Sequence, residues 1–283
     1  MASFTNFATL SYNGGTTNSN IVTGEILEAL TAVKTAVSAN YSAGDRITYA
    51  LSLVNTGIAA ITDYTVTDNL GGYTVGANTV YPLAYNAGTV RYYINGVLQT
   101  APTVTAGPPL TVTGLTVPAG GSAVLIYETT ATPVAPLATG SSITNTATIT
   151  GGGLTNPITA QATVETANSA DLTISKALSP TTVTENGQIT YTFVISNTGN
   201  TEATATGNVV VTDTFAPILR NIAVTYNGTA WTEGTNYTYN AATGVFTTLA
   251  GQITVPAATF TQNTDGTFTV TPGTATLVIT GTI

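Results

Sequence analysis

Cysteine and histidine are both absent from the 283 residues, lysine occurs only twice, and charged residues make up just 6% of the chain. Without Cys or His there is no disulfide framework, no thiol nucleophile, no zinc ligand set of the usual kind and no Ser-His-Asp triad. Few enzyme classes survive those absences, and neither a cofactor nor a metal is expected. Thirteen acidic against five basic residues leave a net charge of −8. Such a surface repels phosphate backbones and anionic lipid, which excludes nucleic acid as a partner. No run approaches the roughly 18 apolar residues that span a bilayer, so membrane insertion is not expected either. The start, MASFTNFATLSYNGG, has neither the basic n-region nor the apolar h-region of a signal peptide. The end, TLVITGTI, shows no polar spacer, hydrophobic tail or basic anchor. Conventional export and wall anchoring are therefore not expected of the chain as written.

What the chain has in quantity is threonine, 64 residues, with 28 Gly and 12 Pro. β-Branched hydroxyl side chains thus cover the surface that Lys and Glu usually cover, and the composition is that of a β protein. A length of 283 residues with 43% hydrophobic content suits about two domains, each with its own core. Alternating β-branched and polar runs, broken at short intervals by Gly, Pro and Asn, predict an all-β sandwich. Glu25 to Val37 has a helical period, but the repeat described next makes it a pair of strands.

The two halves are copies of one unit. GDRITYALSLVNTG from Gly44 matches GQITYTFVISNTG from Gly187, with Ile47 and Ile189, and Asn55 and Asn197, each 142 positions apart. YTVTD ending at Asp68 matches VVVTD ending at Asp213, and LTVPAG at Leu115 matches ITVPAA at Ile253. The second copy carries an extra hairpin at Phe260 to Val270, turned by Asp-Gly. Asn13-Gly14-Gly15 and Asn95-Gly96 read as hairpin turns as well. The first copy continues past AVLIYETTA into the closing segment Ser141 to Thr166. The second copy reaches the matching ATLVITGTI without such a segment, which predicts an open sheet edge.

A spare closing segment stands at the other end of the chain. SFTNFATLSYNGG from Ser3 aligns with SITNTATITGGG from Ser142, setting Asn6 on Asn145, Ala8 on Ala147 and Thr9 on Thr148. The first copy already has its own closing strands, so Ser3, Phe4, Thr5, Asn6, Phe7, Ala8, Thr9 and Leu10 are expected to complete the second copy of a neighbouring chain. This is strand addition of the kind that pilins use, and a head-to-tail interface of that type grows into a filament. The expected organisation is a donor segment at 1–29, a complete sandwich at 30–166 and a sandwich lacking closing strands at 167–283. The expected partner is the protein itself.

The two lysines, Lys34 and Lys176, are also 142 positions apart. Asp68 and Asp213 follow them in the matching VTD elements, and an Asn lies in each closing strand, Asn145 in one and Asn6 in the donated one. That trio is what a Lys–Asn isopeptide bond requires. A lysine in an apolar core loses its proton and becomes a nucleophile, while a carboxyl that burial keeps protonated polarises the Asn amide and shuttles the proton. Ammonia leaves, and an amide joins the first and last strands. The expected cross-links are Lys34 to Asn145 within a chain and Lys176 to Asn6 between chains. Glu128 is a rival acid for the first copy; its counterpart is Thr280, whereas the VTD Asp is present in both copies.

These elements, a Lys, then ITY and NTG, then VTD, then NTATIT, resemble a tandem repeat family of unknown function found on bacterial and archaeal surface proteins. The arrangement of Lys, Asp and Asn is similar to that of collagen-adhesin-type isopeptide domains, and the match extends over nearly the whole chain. The resemblance implies Ig-like sandwiches in an extracellular fibre, such as the ribbon-like spore appendages of clostridia. A spore product would be released by lysis of the mother cell, which accommodates the unusual start. A second reading is an adhesin or carbohydrate-binding module that recognises a receptor through aromatic loops, at Tyr92 and Tyr93 and at Ala223 to Tyr239 with Trp231 and Glu233. The same tyrosines also suit cross-strand packing. Asp45, Asp63 and Asp265 lack the spacing of a calcium loop, and no acid pair has the look of a glycosidase site.

Overall fold

The computed structural model describes residues 2–26 and 29–283. Every described element is a β-strand apart from one 3-10 turn at Ala205–Gly207. The chain divides into two compact units. Unit 1 runs to Ala135 and takes in Ser142–Glu165; unit 2 comprises Pro136–Ser141 and Thr166–Ile283.

Unit 1 is a sandwich of two sheets. In the first, Arg91–Ile94, Ser122–Ala131, Arg46–Asn55 and Leu30–Ala36 are neighbours in that order, all antiparallel. In the second, Leu110–Val117, Ile61–Asp68, Ser142–Gly151 and Ile158–Thr166 follow one another, again antiparallel. Period-2 patterning explains the core. Ile47, Tyr49, Leu51 and Leu53 point inward from one strand, and Ile143, Asn145, Ala147 and Ile149 from another. Serine and threonine take the alternate positions of the second strand, and Arg46, Thr48, Ala50, Ser52 and Val54 those of the first.

Ala2–Asn6 pairs with Val22–Ile26, and Thr9–Tyr12 with Gly15–Asn18 through the Asn13-Gly14 turn. The result is a long hairpin whose strands, among the described residues, pair only with each other. Its apolar side chains face water: Phe4, Phe7, Leu10, Tyr12, Ile21 and Val22 are all more than half exposed. The segment predicted as a strand pair at 25–37 is two strands in different sheets, Val22–Ile26 in the hairpin and Leu30–Ala36 at the edge of unit 1; residues 27 and 28 lie outside the described residues. Helical period gives way here because Leu30–Ala36 gains a full ladder of hydrogen bonds against Arg46–Asn55.

Unit 2 repeats the first sheet: Leu172–Ser179, Gln188–Asn197, Gly273–Thr282 and Arg220–Tyr226 in order. Its second sheet is short. Thr212–Thr214 pairs with Val245–Thr248, which pairs with Tyr237–Asn240. The strand ending at Asp68 has neighbours on both sides, whereas the strand holding Asp213 has one. The extra hairpin forms at Thr259–Gln262 and Phe268–Thr271, its turn held by Asp265 accepting from the backbone and hydroxyl of Thr267.

Details that no composition reveals are duplicated. Asn55 is buried and its Nδ2 donates to the carbonyls of Ala59 and Pro118 at 2.8 and 3.0 Å. Asn197 does the same to Thr201 and Pro256 at 2.7 and 3.0 Å. Each also accepts from the glycine two residues on, Gly57 or Gly199, at 2.9 Å. Asn95 and Asn227 sit at φ of 49° and 48° before a glycine, a backbone that Asn and Gly tolerate best.

Candidate cross-linking site

The site of unit 1 forms where the edge strand of one sheet faces two adjacent strands of the other. Lys34 points inward from Leu30–Ala36, Asp68 ends Ile61–Asp68, and Asn145 lies on Ser142–Gly151, whose Ala147 is the ladder partner of Asp68. Lys34 Nζ donates to Asp68 Oδ2 at 2.5 Å with both side chains withdrawn from water. Asp68 Oδ1 accepts the backbone N–H of Leu70 at 2.9 Å, and Oδ2 also accepts the Tyr127 hydroxyl. The carboxylate is thus held at both oxygens. The adjacent Asn69 ties the turn to the closing strand, its Oδ1 accepting from Thr146 and Gly71 at 2.9 and 3.0 Å.

Two aromatic rings wall the lysine. Its Nζ is 4.9 Å from the centroid of Tyr49 and 5.8 Å from that of Tyr127, and the rings stack on each other at 5.8 Å. Burial pulls the Lys34 ammonium from 10.5 down to about 8, against the opposing pull of Asp68. An appreciable share of the amine is therefore neutral near pH 8.

Asn145 is fully buried, and among the described residues neither its Oδ1 nor its Nδ2 has a partner in hydrogen-bond geometry. A buried primary amide left unpaired costs about 1–3 kcal/mol for each group. Conversion to a secondary amide would expel Nδ2 altogether. The arrangement can therefore do acyl transfer: a partly neutral amine, a clamped carboxyl and an amide with nothing else to bind.

Glu128, the rival acid, faces the other way. It alternates with the buried Tyr127, is about one-third exposed, and lies 3.7 Å from Arg46 on the outer face of the sheet. Strand alternation puts Tyr127, not Glu128, on the lysine's side.

In unit 2 the lysine–acid pair recurs. Lys176 Nζ lies 2.5 Å from Asp213 Oδ2, over the rings of Tyr191 at 4.5 Å and Phe193 at 5.4 Å. Its environment differs from the sequence expectation of an apolar core, because the Lys176 side chain is 40% exposed where that of Lys34 is fully covered. The open side of the short second sheet accounts for the difference. Asn6, the residue aligned with Asn145, is exposed in the N-terminal hairpin opposite Val22.

That hairpin copies the closing hairpin of unit 1 in register. Ser3 faces Glu25 and Asn6 faces Val22, as Ser142 faces Glu165 and Asn145 faces Ala162. Phe4, Asn6, Ala8 and Leu10 fall at the positions of the buried Ile143, Asn145, Ala147 and Ile149, yet all four are exposed.

Sequence reasoning missed Tyr49 and Tyr127. A signal for the first was present, since Tyr49 belongs to the ITY element shared with Tyr191. Tyr127 matches Ile279 in the second copy, so the repeat gave it no mark. The tyrosines considered for receptor binding are mostly packed. Tyr92, Tyr226 and Tyr237 are buried, Trp231 stacks on Tyr226 at 4.8 Å, and the Tyr239 hydroxyl donates to the Leu219 carbonyl.

Fold and site together define an all-β protein of antiparallel β-sheets with a buried Lys–Asp–Asn cluster in unit 1. No protein-family model matches the chain, and no curated protein matches it. Among solved structures it is similar to BcpA, the major pilin subunit of Bacillus cereus, at 14% identity and TM-score 0.36, covering 96% of this chain and 73% of that one. It is similar to the pilus backbone RrgB of Streptococcus pneumoniae at 13% identity and TM-score 0.36, covering 86% and 55%. It is also similar to the N-terminal domain of a Streptococcus gordonii adhesin at 14% identity and TM-score 0.36, covering 48% of this chain and spanning only 32% of that one.

Proposed function

We propose that the protein is a structural subunit of an extracellular fibre on a bacterial cell or spore surface, assembled head to tail and locked by isopeptide bonds. The N-terminal hairpin of one copy enters unit 2 of the next beside the Asp213 strand. The single observation that carries this reading is the shared register of the two hairpins, with the apolar face buried in one and bare in the other. Phe4 and Leu10 are 54% and 64% exposed, and covering what remains open supplies about 1–2 kcal/mol each.

The bond chemistry balances without a cofactor. The neutral Lys34 amine attacks Cγ of Asn145, a C–N bond forms, the Cγ–Nδ2 bond breaks, Asp68 carries the proton to Nδ2, and ammonia leaves. Lys176, Asp213 and the neighbour's Asn6 repeat the reaction between chains. This supplies a chain without cysteine with covalent staples.

The test is a gel of boiled, detergent-treated protein followed by peptide masses. The expected result is a ladder of multimers, a Lys34–Asn145 peptide lighter by one ammonia, and a Lys176 peptide joined to the Asn6 peptide of another copy. Loss of water at Asp68 would instead mean a Lys34–Asp68 amide. A single band with both lysines free, and no filaments in the untreated sample, would overturn the reading.

A further inference from the structure

The last ladder pair between the strand of the acid and the strand of the amide is Asp68 with Ala147, two residues short of Asn145. Beyond Asp68 the chain turns away, with Leu70 and Gly71 at φ of 52° and 68°. On its other side Asn145 is paired with Ala162, which fixes it against Ile158–Thr166 but not against the acid. Asn69 spans that gap. Its N–H donates to the Thr146 carbonyl at 3.0 Å, and its Oδ1 accepts the Thr146 N–H at 2.9 Å. The side-chain oxygen thus serves as the carbonyl that a continuing strand would offer, and the residue after Asp68 holds both backbone groups of the residue after Asn145. The same Oδ1 accepts the Gly71 N–H at 3.0 Å, and the Gly72 N–H donates to the Asn69 carbonyl at 2.9 Å, which closes the turn around the clamp. The turn also lies tight against the closing strand on the far side of Asn145, since a Cβ at Gly71 would meet Ile143 Cγ2 at 2.6 Å.

We propose that Asn69 is a positioning residue for the Lys34–Asn145 cross-link, its side chain setting the amide of Asn145 against the lysine and the acid by gripping the backbone of Thr146. The proposal rests on the Lys34–Asn145 reading above. Asn69 carries no proton of the reaction; it fixes where the closing strand stands after the ladder has ended. Amide exchange by a lysine depends steeply on that placement, because a displacement of about 1 Å at reacting atoms costs up to about 100-fold in rate. Unit 2 supplies the contrast. The residue after Asp213 is Thr214, whose N–H turns back to Asp213 Oδ1 at 3.0 Å. A threonine hydroxyl mimics a turn carbonyl more weakly than an asparagine amide does. The clamp is therefore a feature of the link made within one subunit, where no second chain is needed to bring the amide in.

Asn69→Ala removes the side-chain oxygen and leaves the backbone bond to Thr146. The full chain is made by cell-free synthesis and sampled at intervals. Each sample is pulsed with protease to remove unfolded chains, quenched in acid, and the linked Lys34–Asn145 peptide is measured by mass as a fraction of the surviving protein. Linkage among folded Asn69→Ala chains is expected to slow by about 10- to 100-fold. Asn69→Asp keeps the oxygen that accepts from Thr146 and Gly71, and is expected to restore the rate to within a few-fold of wild type. A purely structural role would lower the folded fraction without changing the rate within it. Linkage of folded Asn69→Ala at the wild-type rate would therefore overturn the proposal, and so would Asn69→Asp that links no faster than Asn69→Ala. Folding is checked by melting the same substitutions in an Asn145→Ala background, where no bond forms. If Asn69→Ala does not melt cooperatively there, Asn69→Ser takes its place under the same expectation of slowed linkage, and linkage at the wild-type rate overturns the proposal in the same way. A wild-type chain that never yields the linked peptide would overturn the Lys34–Asn145 reading itself and this proposal with it, a result distinct from a wild-type rate in the variants.

Discussion

Lys34 Nζ and Asp68 Oδ2 meet at 2.5 Å inside unit 1, with side-chain exposures of 0% and 2%. A pair so placed is a poor source of stability. Each charge loses its hydration, and the attraction between the two recovers that loss only with good geometry and further hydrogen bonds. Leu70 and Tyr127 supply those bonds to the acid, but among the described residues the lysine has one carboxylate oxygen and two ring faces. The site is better suited to chemistry than to holding two charges, since forming the amide would remove the buried ammonium.

This gives a pH dependence with a definite sign. In Asn145→Ala the Lys34 amine cannot react, and it titrates near 8 in the folded state against 10.5 when unfolded. Between those values the unfolded chain holds more protons, so stability rises with pH through that window, by at most roughly 3 kcal/mol. Urea midpoints for Asn145→Ala should therefore climb from pH 7 to about 9.5. Above about 10 they should fall, as tyrosines whose ionisation burial suppresses in the fold become free to ionise in the unfolded chain. A flat profile would mean that Lys34 is not desolvated.

Much of this was legible because the chain repeats itself. The 142-position offset marks Lys34 with Lys176 and Asn55 with Asn197, and the structure gives the members of each pair matching hydrogen-bond partners. Alternation along Arg46–Asn55 was readable in the same way. Hidden from the sequence was anything decided across the gap between sheets. That Tyr127 rather than Glu128 meets Asp68 follows from the inward phase of one strand, and two adjacent residues of a strand look alike until that phase is fixed. The contrast between a covered Lys34 and a half-open Lys176 was equally invisible in the local sequence, because it depends on which strands flank the acid.

The duplicated asparagines test the fold apart from the chemistry. Asn55 and Asn197 each use one buried amide to join the loop that follows their own strand to a second loop. Removing either amide leaves buried carbonyls unpaired. Asn55→Ala and Asn197→Ala should each cost about 2–3 kcal/mol in their own unit, read as separate shifts in thermal unfolding. A change below about 0.5 kcal/mol would show that water replaces the amide.

Covalent locking and assembly separate at Lys176. Arginine keeps the charge and can still meet Asp213, but a guanidinium is not a usable nucleophile. Lys176→Arg should therefore give filaments that fall to single subunits when boiled in detergent, while the Lys34–Asn145 peptide remains linked. A persistent ladder in this variant would place the intersubunit bond elsewhere.

The strongest demand falls on the exposed face of the N-terminal hairpin. Phe4 and Leu10 are 54% and 64% exposed, so replacing both with Asp removes little from the isolated subunit, whose melting should shift by no more than about 0.5 kcal/mol. In an assembled fibre the same positions correspond to Ile143 and Ile149, which are 2% and 0% exposed in unit 1. Two carboxylates there would have to be desolvated without partners, a cost of several kcal/mol each. Phe4→Asp with Leu10→Asp should thus leave a well-folded monomer, with its Lys34–Asn145 link intact, that forms no filaments at any concentration where the wild type does. Filaments of normal length from the double variant, seen by electron microscopy, would mean that this face stays in water and that assembly uses another surface.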